Sequence, residues 1–157
     1  MTHNFQIKAL PENEFPALFN LDNQELEKSG AIRMTVDKKL SFPCRVSLED
    51  GEIGDEVILL AYQHHKTISP YQSLGPIFVK RNATTIKLAI NEIPNLLNHR
   101  LLSIRGYDRK GMMKSSLVTE GQNLRNVLQE TFNNPEIEYL HIHNAKPGCY
   151  MCEVVRA

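Results

Sequence analysis

The sequence predicts an α+β fold: a mostly antiparallel β-sheet, one well-defined amphipathic helix on one face, and a C-terminal β-hairpin. Three observations lead there. Many short stretches rich in β-branched and aromatic residues are joined by brief turn-forming segments. Only one segment, 121–132, carries a long helical stripe, so strands do not alternate with helices as a parallel sheet requires. The closing stretch reads as strand 137–143, the turn Ala145-Lys146-Pro147-Gly148, then strand 149–155. In that turn proline presets φ and glycine accepts a positive φ.

Taken in order, residues 5–10 form an opening strand. Residues 11–20 are short and helical through Phe15, Leu18 and Phe19. Residues 22–28 are polar, a helical turn or a loop. Residues 32–36 have β character. In Phe42-Pro43-Cys44-Arg45-Val46 the proline marks an edge or a bend. The turn-rich 49–55 leads into 56–62, an apolar run that reads as a buried strand, with His64 and His65 at its end. Residues 69–76 form an ordered loop, and 77–79 a strand. Residues 84–90 are a strand or irregular, and 93–98 a short helix. Residues 101–107 and 115–119 are partner strands across the turn 108–111. In the helix, Leu124, Val127, Leu128 and Phe132 share one stripe. Thr119 and Gln122 fit a capping box, and Asn133-Asn134-Pro135 ends the helix.

The totals bound the function. A chain of 157 residues makes one domain, 1–157, with room for a sizeable core. Lys+Arg and Asp+Glu number 18 each, so net charge is zero. That argues against a general nucleic-acid binder or a polybasic membrane binder, both of which need a positive field. No apolar run is long enough to span a membrane. The N-terminus lacks a basic region followed by an apolar stretch, so no secretion signal is expected. Three cysteines then read as reduced thiols, and the protein as cytoplasmic.

Chemistry concentrates in the closing hairpin. With Lys146 and Pro147 as a two-residue loop, His143 faces Tyr150 and His141 faces Cys152. One face then carries His141, His143, Tyr150 and Cys152. The other carries Leu140, Ile142, Asn144, Cys149 and Met151.

Four stretches carry a resemblance: Phe42-Pro-Cys-Arg45, Ser69-Pro-Tyr-Gln-Ser-Leu-Gly-Pro-Ile-Phe78, Tyr107-Asp108 with Gly111-Met112, and His141-Ile-His-Asn-Ala-Lys-Pro-Gly-Cys-Tyr150 with Cys152. Together they resemble the bacterial domain-of-unknown-function family 1203. The resemblance covers most of the chain from Phe42 onward, a motif-bearing part of 42–157. It implies no activity and lends no catalytic residue.

The residues themselves support three chemistries. Thiolate and imidazole are preferred zinc ligands, so His141, His143 and Cys152 are candidate ligands for zinc or another transition metal. His141 and His143 at i and i+2 share a strand face. Cys149 and Cys152 at i and i+3 do not, unless the strand kinks. The plainer alternative is one packed and one exposed histidine, with small buried thiols packing as hydrophobes. The second chemistry is nucleophilic: Cys44 or Cys152 with His141 or His143, in a hydrolase or group-transfer enzyme. Arg45 would favour a Cys44 thiolate if both turned the same way, which a regular strand forbids. The third is anion binding. Arg45, Arg81 and Arg105 each end or interrupt an apolar strand, while Tyr71 and Ser73 offer hydroxyls and Asn144 an amide. Its alternative is surface arginines in weak ion pairs. No P-loop, Gly-x-Gly-x-x-Gly or Gly-x-Ser-x-Gly is present, and the spacing excludes a zinc-deaminase pattern. The best reading is a small-molecule binding protein for an anionic ligand, with or without metal. The alternatives are a Cys/His enzyme and a structural zinc domain.

Overall fold

The computed structural model describes residues 2–157. Its strands are β1 (Phe5–Lys8), β2 (Ala31–Thr35), β3 (Glu56–His65), β4 (Ser73–Lys80), β5 (Leu101–Tyr107), β6 (Met113–Glu120), β7 (Tyr139–Asn144) and β8 (Tyr150–Arg156). Its helices are α1 (Asn23–Lys28), α2 (Asn95–Asn98) and α3 (Leu124–Thr131), with short 3₁₀ turns at Glu12–Glu14, Pro16–Asn20 and Gly121–Asn123. The strands make two antiparallel sheets, β1-β8-β7-β5-β6 and β2-β3-β4. This is the α+β, mostly antiparallel architecture the sequence predicts. Among the described residues, no helix is long and apolar enough to cross a membrane.

Strict alternation gives the larger sheet two unlike faces. Across β5 and β7, Ile104 pairs with Ile142 and Gly106 with Leu140. This face joins Leu124, Leu128 and Phe132 of the helical segment in the main core. Each such fully buried leucine or phenylalanine is worth about 1.5–3 kcal/mol. On the other face Ser103 pairs with His143, Arg105 with His141, and Tyr107 with Tyr139. A second core forms on the smaller sheet from Cys44, Val46, Ile58, Ile77 and Val79. Tyr150 of β8 reaches into it, so the two sheets meet along the closing hairpin.

Two local expectations differ from the structure. Residues 69–76 are not all loop, because β4 begins at Ser73. Pro76 is tolerated there because β4 is an edge strand. The Thr119/Gln122 capping box does not form: Thr119 lies in β6, and the helix is entered through the 3₁₀ turn. Gly121 is required at that entry, since a Cβ there would lie 1.8 Å from the Leu97 carbonyl oxygen. The capping box forms at α1 instead, where Asp22 and Glu25 exchange 2.8 Å bonds with each other's backbone N–H. Residues 42–46 take the bend that Pro43 marks, with isolated bridges from Pro43 to Asp50 and Cys44 to Phe78.

Candidate metal centre

Both sheets contribute to one histidine cluster. β7 presents His141 and His143 on its inner polar face, 2 % and 1 % exposed. β3 brings His64 against them. Each of the three rings has a ligand nitrogen within 4.8 Å of those of the other two. The His64 and His143 ring centres are 5.0 Å apart, and Tyr150 stacks on His64 at 5.1 Å with the planes 12° apart.

The hydrogen bonding is incomplete in a telling way. His143 Nδ1–H donates to the Gly148 carbonyl at 2.9 Å, so Nε2 carries the lone pair. That Nε2 is buried with no partner, as are Nδ1 of His141 and Nδ1 of His64. Buried polar atoms are almost always paired with protein or ordered water, so three unpaired ones in one cluster mark it as a candidate site. Gly148 sets up the His143 bond from a turn at φ 81°, a conformation glycine adopts freely.

All three imidazoles are neutral near pH 7. Burial is the main cause, holding His64 down to about 4, His141 to about 2 and His143 to about 3. The Arg105 cation adds to the effect in each. Neutral rings with free lone pairs are what a metal needs. Tetrahedral zinc holds nitrogens at about 2.0–2.1 Å, so the rings would draw together on binding.

A cleft borders two of the three rings, His64 and His141, and His143 does not line it. The cleft, of about 450 Å³, also runs along Tyr139, Lys66, Arg109 and Glu153. Burial raises the Glu153 carboxyl above its ordinary range. His65 also borders the cleft but is fully engaged. Its Nδ1–H donates to the Tyr71 carbonyl at 2.7 Å, and its Nε2 accepts from the Tyr139 hydroxyl at 2.6 Å. His65 packs edge-on against His141, with ring centres 4.9 Å apart.

The remaining sequence candidates divide. Cys152 leaves the histidine face. The pairing His143–Tyr150 holds, but a bulge then sets Ile142 opposite Cys152 and His141 opposite Glu153. Cys152 therefore sits in the main core, where burial pushes its thiol up to about 12. Cys44 is also fully buried, its sulfur accepting from the Lys80 N–H at 3.3 Å. Arg45 is not an exposed strand residue. It is 1 % exposed, its Nε–H donating to the Tyr150 carbonyl at 2.7 Å and its Nη1–H to the Pro43 carbonyl. Arg81 lies outside the cluster, paired with Glu56 at 3.0 Å. Arg105 lies beside the histidines, its Nε–H 3.3 Å from the Ser103 hydroxyl, with no carboxylate partner among the described residues. The Ser73 hydroxyl donates to the Tyr71 carbonyl at 2.9 Å, and the Tyr71 ring lies edge-on to Tyr107 with centres 6.2 Å apart. Asn144 donates to the Cys149 and Met151 sulfurs at 3.1 and 3.2 Å, behind the hairpin. Asp108 shapes its turn through bonds from the Met112 and Lys110 N–H groups, which lower its pKa.

His64 is the residue that the sequence reading did not place in the site. The available signal was the doubled histidine ending an apolar strand, matched by the His-x-His of β7. No curated protein and no solved structure matches the chain. A family model described as "Protein of unknown function (DUF1203)" matches residues 41–156, a span that holds His64, His141 and His143. The chain belongs to that family.

Proposed function

We propose that the protein binds one divalent transition metal, zinc foremost, through His64, His141 and His143, and uses its open position to hold a small anionic molecule. The observation that carries this reading is the convergence of three neutral imidazoles, His141 and His143 buried and His64 half-buried, each with a buried, unpartnered nitrogen. Three nitrogen ligands and an open position are the pattern of exchangeable zinc sites, whereas structural sites are closed by four protein ligands.

Charge argues for the anion. A dication beside the unpaired Arg105 would leave strong local positive charge, which an anionic fourth ligand offsets. Lys66 on the cleft wall adds to that preference, whereas Arg109 is already paired with Glu138 at 3.2 Å. The two fully buried cysteines, Cys44 and Cys152, offer no accessible nucleophile, so the metal reading is preferred to a thiol enzyme.

The test is elemental analysis of untagged protein purified without chelator, beside His64→Ala and Cys152→Ser. About one metal per chain is expected in the wild type and in Cys152→Ser, and little in His64→Ala. A wild type that stays metal-free with zinc and iron supplied would end the proposal.

A further inference from the structure

We infer that a second pocket, behind the closing hairpin and separate from the histidines, binds a small organic monocarboxylate between Arg45 and Arg100. The cavity is about 300 Å³ and is lined by Arg45, Arg100, Asn144, Cys149, Phe78 and Pro147, with Leu40 and Ser41 among its other residues.

Charge balance points to the ligand. Two guanidinium groups line this space, and one carboxylate serves them. Asp50 pairs with Arg100. Arg45 is 1 % exposed and has no carboxylate partner among the described residues; its bonds go to two backbone carbonyls, with the Cys149 thiol as a further neighbour. A buried charge ordinarily has a counter-ion. Two carbonyls use two of the five guanidinium donors, leaving others free for an oxyanion. Arg100 adds another unsatisfied group, since its Nε–H is buried without a partner.

The walls specify the rest of the molecule. Leu40, Pro43, Phe78 and Pro147 are apolar, so the low dielectric strengthens a charge pair and the surface suits a short hydrocarbon tail. One uncompensated guanidinium calls for one negative charge. A pocket of this size falls at the small end of ligand sites. A monocarboxylate with a compact apolar group meets all three conditions.

The experiment uses benzoate as the probe and benzamide as its neutral counterpart. Thermal shift and calorimetry are run on the full chain in chelator, so that a carboxylate held at a metal cannot be mistaken for this site. Saturable stabilisation by benzoate and none by benzamide is expected. Arg100→Met should weaken binding by at least about tenfold, the worth of one lost charge-assisted contact. Ser41→Trp, an exposed residue at the rim, should block binding while the fold is kept, and it decides the matter if Arg100→Met fails to fold. No saturable shift, an equal response to benzamide, or binding indifferent to Ser41→Trp would overturn the inference.

Discussion

The two faces of β7 are buried to nearly the same depth and are built from opposite materials. On one, Leu140 and Ile142 are fully enclosed with Met151, Cys152 and Val154 by carbon and sulfur. On the other, His141 and His143 are as deeply enclosed, yet each keeps a buried nitrogen without a partner. Burial on the first face is the ordinary source of stability. Burial on the second costs free energy until something occupies the lone pairs. Depth of burial therefore does not mark the site; unmatched polarity at that depth does.

The largest effect that should separate the faces is on the apolar side. Ile142→Ala removes a fully buried side chain and is expected to cost about 2–5 kcal/mol, a fall in Tm on the order of 10 °C. Metal bound per folded chain should be unchanged. Calorimetry with elemental analysis checks both, and a loss of metal in folded Ile142→Ala would erase the distinction.

The polar side should respond to acid. The histidine pKa values are lowered by folding, so between roughly pH 6.5 and pH 4 the unfolded chain binds more protons than the folded one. Stability of the metal-free protein must then fall as pH falls. For His141 and His143 alone, lowering pH from about 7.5 to about 5.5 should cost roughly 2–3 kcal/mol. His64 is only half-buried and adds less. Urea denaturation across this range measures the slope, which His141→Asn and His143→Gln should flatten. An acid-independent stability would contradict the neutral-imidazole reading.

The smallest effect sharpens the comparison at the turn. Gly148→Ala places a side chain at φ 81° and should cost about 1–2 kcal/mol. Because the Gly148 carbonyl fixes the His143 ring, metal affinity should also fall, by about tenfold or more. A change in stability with no change in affinity would show that this bond does not orient the ligand.

Much of the fold was legible because periodicity is local. The β5–β6 hairpin, the closing hairpin and the α3 stripe all follow from alternation or helical spacing within short windows. The inner face shared by His141 and His143 was legible for the same reason. Cys152 was misplaced because Tyr150, Met151 and Cys152 run without alternation, so nothing in them marks the bulge that turns the thiol into the core. His64 was missed because it comes from the other sheet, and the sequence pattern does not say how two sheets meet. Pro43 marked an edge or a bend at 42–46, but nothing local shows that the bend carries both Cys44 and Arg45 inward.

The most direct test is a cobalt(II) titration of the metal-free protein followed by visible absorption. One equivalent should saturate a ligand-field spectrum typical of nitrogen and oxygen donors, with no thiolate-to-cobalt charge-transfer band. Adding a simple anion such as azide should shift that spectrum, and His143→Ala should abolish it. A charge-transfer band from sulfur, or no saturable spectrum, would contradict a three-histidine centre with an open position.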